Sequence, residues 1–159
     1  MIRGLTLFTL IAVTAGVLKI PQDRRIEAIA VVETSTLSPG GQGRLKITLK
    51  MAEDLHVNAN IVEDPNLIPT TFTPKELQGI VWGKPQYPES SKVTEWYSTE
   101  PLSVFQDGAI ITVPFTIEKK VTADSLTLSG ILRAQACDHE QCYPPRRIEV
   151  TAQLVLSKK

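Results

Sequence analysis

Residues 44–51 read Arg-Leu-Lys-Ile-Thr-Leu-Lys-Met, an alternation of polar and apolar side chains. Successive side chains of a β-strand point to opposite faces, so this stretch predicts a strand with one face in the core and one in water. No segment shows a long helical period. Further strands are predicted at residues 26–33, 55–59, 111–117, 126–137 and 148–156.

Turn signals separate these strands and complete the prediction of an all-β fold. They lie at residues 38–41, 64–66, 83–85 and 107–108. Short strands separated by turns indicate an antiparallel β-sandwich. Residues 61–77 and 83–102 are expected to be long irregular connections. Pro114 suggests a sheet edge or a bulge in its strand.

The balance of charge excludes some classes of partner. The chain has 159 residues, enough for one domain with a core, and its 17 Lys and Arg equal its 17 Asp and Glu. A net charge of zero gives no electrostatic case for binding nucleic acid or an anionic membrane.

Residues 1–18 are predicted to be a secretory signal peptide. One basic residue precedes an apolar run at residues 5–13, and small residues follow. The run is too short to span a bilayer, so no stable membrane span is expected after its removal. The alternative is a first strand of the domain. We expect residues 19–159 to form the mature domain, periplasmic or otherwise exported, where disulfides persist.

The two cysteines of the chain, Cys137 and Cys142, lie five positions apart. Five residues of extended chain would separate their Cα atoms by about 16 Å, whereas a disulfide needs about 5.5 Å. A bridge therefore requires a tight turn through residues 138–141. Closing so short a loop stabilises a fold by only roughly 2 kcal/mol. This favours a redox-active pair over a structural staple, and the spacing differs from the Cys-x-x-Cys of thioredoxin-like sites.

Three parts of the sequence resemble a known family. They are residues 55–60 with 67–70, residues 100–105 with 111–114, and the segment at 135–145, Gln-Ala-Cys-Asp-His-Glu-Gln-Cys-Tyr-Pro-Pro. The chain resembles the immunoglobulin-like N-terminal domain of the thiol:disulfide interchange protein DsbD and related stand-alone disulfide bond corrector proteins. The likeness covers most of the chain after about Arg25, and it implies an immunoglobulin-like antiparallel β-sandwich.

The resemblance implies electron relay through a reversible Cys137–Cys142 disulfide. Electrons would pass between a thioredoxin-like or membrane reductase and target proteins, with no organic cofactor and no metal. The partners implied are thioredoxin-like redox proteins and a membrane electron-transfer protein. Cys142 would form the mixed disulfides and Cys137 would resolve them, so the chain would be a component of protein-disulfide reduction.

Other site residues are also named by the resemblance. His56 and Asn58 occupy strand positions that are tyrosines in the best-known members, and they would lie beside the cysteines. Unless the cysteine hairpin folds over it, His56 is instead explained as a strand-surface or packing residue. Trp96 and Tyr97 are the nearest candidates for an aromatic cap over the pair. His139 and Tyr143 are neighbours of the cysteines in the chain, although His139 is also explained as a solvated turn residue. The Tyr143-Pro144-Pro145 run predicts an accessible strand edge, which independently makes Cys142 the more exposed cysteine.

Two other functions stay open on the sequence. One is a non-catalytic immunoglobulin-like binding module whose disulfide only pins a hairpin. The other is a metal site, because Cys137, Cys142, His139 and His56 are residue types that zinc binds. The cysteine and histidine spacing matches no common zinc finger, so no metal is predicted.

Overall fold

The computed structural model describes residues 26–62 and 64–157, and within these ranges the regular elements are strands. The predicted signal peptide, residues 1–18, lies outside the described residues. In chain order the strands are β1 (Glu27–Val32), β2 (Thr36–Leu37), β3 (Gln42–Lys50), β4 (His56–Asn58), β5 (Thr71–Pro74), β6 (Ile80–Trp82), β7 (Ser91–Val93), β8 (Leu102–Phe105), β9 (Ile110–Ile117), β10 (Ser125–Ala134), β11 (Ala136–Cys137) and β12 (Arg146–Leu156).

The described strands form three four-stranded sheets. The first sheet has the order β1-β3-β9-β6, the second β2-β12-β10-β5 and the third β11-β4-β8-β7. Neighbouring strands are antiparallel except β2 and β12, which run parallel. The prediction of an all-β, immunoglobulin-like sandwich is therefore confirmed.

The alternation of side chains builds the core between the first and second sheets. Most of the apolar residues of β3, β9 and β12 are buried, and their polar neighbours are more exposed. Fully burying each such Leu or Ile stabilises the fold by about 1.5–3 kcal/mol. Gly130 in β10 is required by a close approach, because a Cβ there would lie 2.3 Å from the ring of Phe72. The glycine thus lets β5 pack against β10.

The chain passes from the second sheet to the third at Gln135. Up to Ala134, β10 pairs with β12, and the chain then re-enters a sheet as β11, which pairs with β4. The Gln135 side chain lies in this break and donates a hydrogen bond from Nε2 to the carbonyl of Tyr143, 3.0 Å away. This change of sheet places Cys137 opposite His56 of the third sheet.

The structure corrects the prediction of two irregular connections. Residues 61–77 contain β5, and residues 83–102 contain β7 and an isolated bridge between Gln86 and Thr112. Strands β2, β6 and β8 were also not predicted. These elements have two to four residues, which is too short to display a period.

The prediction for Pro114 was a sheet edge or a bulge, and the first alternative is not met. Pro114 lies in β9, which has β3 on one side and β6 on the other. The Pro114 carbonyl accepts a 2.8 Å hydrogen bond from the Gly83 N–H. Strand β6 ends at Trp82, so the side of Pro114 that lacks an N–H faces the irregular residues 83–85. Strand β6 therefore ends at the position where Pro114 has no N–H to donate to it.

Candidate redox site

His56, Cys137 and Cys142 form a row across the end of the third sheet. Cys137 is the register partner of His56 in β4, and it also forms an antiparallel bridge with Cys142. Directly opposed residues of antiparallel strands place their side chains on the same face. The two cysteines are joined by a disulfide with Cα atoms 4.0 Å apart. The row therefore places an imidazole beside the buried half of the bridge.

The two halves of the disulfide differ in exposure. Cys137 is fully buried and Cys142 is partly exposed. This is the order predicted from the Tyr143-Pro144-Pro145 run. A sulfur nucleophile arriving from solvent therefore has access to Cys142 but not to Cys137.

Asp138 organises the cysteine hairpin, residues 137–142, from a buried position. Its Oδ1 accepts hydrogen bonds from the N–H groups of Glu140 and Gln141, at 2.8 and 2.9 Å, and its Oδ2 accepts one from the Tyr143 hydroxyl at 2.6 Å. The Tyr143 N–H also donates to the carbonyl of Ala136 at 2.8 Å. An aspartate that bonds its own backbone two and three residues on explains how a turn forms without glycine or proline. These bonds cross the hairpin in addition to the disulfide.

Glu95 is a buried carboxylate that sequence reasoning missed. Its side chain is 4% exposed, and its Oε1 lies 3.9 Å from Nδ1 of His56, which is also buried. Its Oε2 lies 3.3 Å from Nδ1 of His139, whose side chain is 82% exposed. The sequence offers no signal for this burial, because Glu95 stands in a polar segment that was predicted to be an irregular connection.

His56 has one unpartnered ring nitrogen. Burial lowers its pKa from the ordinary value, and nearby His139 lowers it further, while the charges of Glu95 and Asp138 act in the opposite direction. The imidazole is therefore neutral at neutral pH. Its Nε2 is buried and has no hydrogen-bond partner among the described residues. A neutral imidazole in this state is able to accept a proton.

Of the two predicted cap residues, Tyr97 has its hydroxyl close to the disulfide, and Trp96 contacts Tyr97 from an exposed position. The Tyr97 hydroxyl is 4.0 Å from Sγ of Cys142 and donates a 3.4 Å hydrogen bond to the carbonyl of Asp138. Burial, followed by the charges of Glu95 and Asp138, raises the pKa of Tyr97 to about 12. Trp96 is 79% exposed and packs edge-on against the Tyr97 ring.

Asn58 is buried on the same strand as His56 and anchors a connection. Its Nδ2 donates a 3.1 Å hydrogen bond to the carbonyl of Ile68, and its own carbonyl accepts a 2.6 Å bond from the Thr70 hydroxyl. Since side chains two positions apart on a strand share a face, Asn58 lies on the face of His56. These contacts fix the loop that follows β4.

The described residues contain neither a metal-binding cluster nor a helix that could span a membrane. Within residues 26–62 and 64–157, no three His, Cys, Asp or Glu side chains are grouped so as to hold a metal ion. The two sulfurs of the hypothetical zinc set are bonded to each other. The same part of the chain contains no helix with the length and apolarity needed to cross a membrane.

Comparisons with known proteins find similarity in three-dimensional structure. No family model matches the chain, and no curated protein matches it. A solved complex between the DsbD N-terminal and PilB N-terminal domains from Neisseria meningitidis aligns with a TM-score of 0.50 and 14% identity, over 84% of this chain and 86% of that one.

Two further solved structures are similar. The reduced DsbD N-terminal domain from Neisseria meningitidis gives a TM-score of 0.47 and 16% identity, over 84% of this chain and 88% of that chain. The N-terminal periplasmic domain of ScsB from Proteus mirabilis gives 0.48 and 13%, over 82% of this chain and 45% of that chain. At the level of the fold, the predicted resemblance to the DsbD N-terminal domain is confirmed.

Proposed function

We propose that this chain is a thiol–disulfide exchange module that relays electrons through a reversible Cys137–Cys142 disulfide. The observation that carries the proposal is the asymmetric exposure of the bridge, with Cys137 buried and Cys142 partly exposed. Exchange requires a thiolate to attack one sulfur and the other to leave. A bridge with one accessible sulfur fixes which sulfur is attacked.

The relay has two steps in the direction that reduces the module. A thiolate of the electron donor attacks Cys142, forms a mixed disulfide and releases Cys137 as the leaving sulfur. A second donor thiol then attacks the donor's own sulfur in that mixed disulfide and frees Cys142. Two electrons and two protons are taken up, and the donor leaves oxidised. In the opposite direction, Cys142 attacks a target disulfide and Cys137 resolves the mixed disulfide.

The hairpin geometry favours reversible opening over a structural staple. The loop between the cysteines is short, so closing it contributes only roughly 2 kcal/mol. The carboxylate of Asp138 and the backbone bond from Tyr143 to Ala136 hold the turn without the bridge. Reduction can therefore proceed without unfolding of the hairpin.

The proposed setting is the periplasm or another exported compartment. The partners would be thioredoxin-like redox proteins and a membrane electron-transfer protein, and no cofactor is required. The solved complex of a DsbD N-terminal domain with a PilB domain, and the periplasmic ScsB domain, support this setting by their fold. Within the site, His56, Asn58, His139 and Tyr143 would surround the cysteines, with Tyr97 as the shielding aromatic residue and Trp96 beside it.

A redox titration combined with partner trapping tests the proposal. We expect the bridge to have a reduction potential above about −300 mV and to equilibrate with dithiol buffers in that range. A structural disulfide would stay oxidised in the same buffers. Cys137→Ser should accumulate reductant-sensitive adducts with a thioredoxin-like protein, because Cys142 reacts and nothing resolves the product. Cys142→Ser is the matched control and should trap few. A bridge that resists mild reductant, with no adduct on either variant, would instead establish the binding module with a structural disulfide.

A further inference from the structure

The proposed exchange leaves a chemical problem at Cys137. A thiolate is the attacking species, and an ordinary cysteine has a pKa of about 8.5. Burial in apolar surroundings disfavours the thiolate further. Cys137 is fully buried, so water has no access to its sulfur. When the resolving cysteine must attack, its proton has to be taken by a protein group.

Two buried groups beside the bridge have no role in the exchange described so far. They are His56, which is the strand partner of Cys137, and Glu95, which is next to His56. Nδ1 of His56 faces the Glu95 carboxylate at 3.9 Å, so Nε2 lies on the opposite edge of the ring and is the unpartnered nitrogen. A buried imidazole with one nitrogen at a carboxylate and the other free is the arrangement of a base held by an orienting group.

We propose that His56 is the general base of the resolving cysteine Cys137, and that Glu95 is the positioning residue that orients His56. The inference rests on the proposed function, because it assigns the proton transfer that accompanies the exchange. The separation of 3.9 Å between Nδ1 and the carboxylate is long for a hydrogen bond. Such contacts are often long in resting sites and tighten as the reacting group gains charge.

The step balances without any further reactant. In the mixed disulfide, Cys142 is bonded to a sulfur of the partner and Cys137 is a thiol. Nε2 of His56 accepts the Cys137 proton, and the Cys137 sulfur attacks Sγ of Cys142. The bond between Cys142 and the partner breaks, and its electron pair leaves on the partner's sulfur. The imidazolium is stabilised by the Glu95 carboxylate and then releases its proton to solvent.

The charges around His56 suit a base. Burial lowers its pKa, and His139 in the hairpin lowers it further, so the ring starts neutral. Glu95, from the segment after β7, and Asp138, from the hairpin, raise the pKa and so stabilise the protonated ring once it forms. Tyr97 stays protonated, so it adds no negative charge. His139 touches the other Glu95 oxygen from an exposed position and is not required for the transfer.

Stopped-flow reaction with 5,5′-dithiobis(2-nitrobenzoate) isolates this step. The reduced protein should release thionitrobenzoate in two phases. The first depends on reagent concentration and reports attack by Cys142. The second is independent of it and reports displacement by Cys137, and it should be missing in Cys137→Ser. No partner protein takes part, so the second phase reports only the displacement by Cys137 and the proton transfer that accompanies it.

We expect His56→Gln to slow the second phase about 100-fold at neutral pH, within the usual range for general-base catalysis. The first phase should be unchanged, which also shows that the variant is folded. Glu95→Gln, a nearly isosteric change, should slow the second phase about tenfold or more. Its matched control is Glu140→Gln, the same substitution at an exposed position of the hairpin, which should have no effect. His139→Gln should change the rate by less than about fivefold, because His139 is exposed and contacts the Glu95 oxygen that does not face His56.

The pH profile separates a base from a structural residue. The wild-type rate of the second phase should be nearly level around neutral pH, whereas that of His56→Gln should rise with pH as the Cys137 thiol ionises. The two rates should converge above about pH 9–10, where the thiolate forms unaided. A second phase with the same rate and pH dependence in His56→Gln as in wild type would overturn the inference and leave the relay intact. A wild-type protein that gives no second phase would overturn both.

Discussion

The sandwich core and the third sheet differ in the buried polar and charged side chains that they contain. The core strands of the first and second sheets bury apolar side chains, among them Leu45, Ile111 and Leu154. The buried polar and charged residues of the described chain are His56, Asn58, Thr70, Glu95, Ser103 and Asp138. Five of these lie on or beside strands of the third sheet, and Thr70 bonds to Asn58.

This difference in buried side chains separates the part of the protein that mainly stabilises the fold from the part that surrounds the disulfide. Burying a polar group costs about 1–3 kcal/mol in proteins unless it is hydrogen-bonded. Asp138 has its bonds, but the free nitrogen of His56 and Oδ1 of Asn58 have none. In the function proposed above, the free nitrogen of His56 takes part in the exchange at the disulfide, whereas the apolar side chains of the core do not. Substitutions in the core should therefore change the stability of the protein and leave the disulfide as it is. Substitutions beside the disulfide should also change how the disulfide behaves.

The largest expected effect is on stability and comes from the core. Leu154→Ala should lower the free energy of unfolding by about 2–5 kcal/mol, because it leaves a cavity in a fully buried site. The neighbouring Val155 is 49% exposed, so Val155→Ala should cost under about 1 kcal/mol. Urea denaturation measures both, and the reduction potential of the bridge should stay the same. A shifted potential in Leu154→Ala would mean that the two regions are coupled.

The next effect comes from the centre of the cysteine hairpin. Asp138→Asn removes the charge from an acceptor of three hydrogen bonds and should destabilise the protein by about 1.5–3 kcal/mol. Tyr143→Phe removes one of those bonds and should cost about 1 kcal/mol. Urea unfolding of the oxidised and reduced proteins checks this. Equal stability of Asp138→Asn and wild type in the reduced form would show that the disulfide alone holds the turn.

A smaller effect appears in the pH dependence of stability. The folded pKa of His56 is lowered, so between that pKa and the unfolded value near 6.5 the unfolded chain binds more protons. The resulting loss of stability is absent above about pH 7 and grows as the pH falls through the unfolded pKa. Urea unfolding at about pH 7.5 and pH 5 should show that His56→Gln loses less stability than wild type on acidification. An identical loss in both proteins would contradict the burial of a neutral ring.

Local patterns predicted the sandwich better than they predicted the site. The long strands β3, β9 and β12 could be predicted because each repeats the two-residue alternation of polar and apolar side chains several times. Strand β5 has four residues and exists through its pairing with β10, which the period of its own sequence does not show. Whether so short a segment forms a strand depends on the strand with which it pairs.

The candidate site divides in the same way. The cysteine pair and its unequal exposure follow from residues adjacent in sequence. Glu95 is buried by a hairpin whose His139 is 44 positions away, so nothing near Glu95 in the sequence marks it. His56 was named by resemblance, but its burial depends on the pairing of β4 with β11. The surroundings of the disulfide are formed by contacts between residues far apart in sequence. Such contacts cannot be predicted from local sequence patterns.

The smallest expected effect concerns shielding of the exposed sulfur. The Tyr97 hydroxyl lies 4.0 Å from Sγ of Cys142, while the side chain of Trp96 is largely exposed. Tyr97→Ala should therefore speed reduction of the bridge by a small thiol severalfold, because it opens the approach to Cys142. Trp96→Ala is the matched control, and Tyr97→Phe keeps the ring and should stay near wild type. The rates of reduction by dithiothreitol, followed by thiol labelling, decide it. If Trp96→Ala accelerates reduction as much as Tyr97→Ala, then both aromatic residues shield the bridge, and the exposed ring must close over Cys142 in solution.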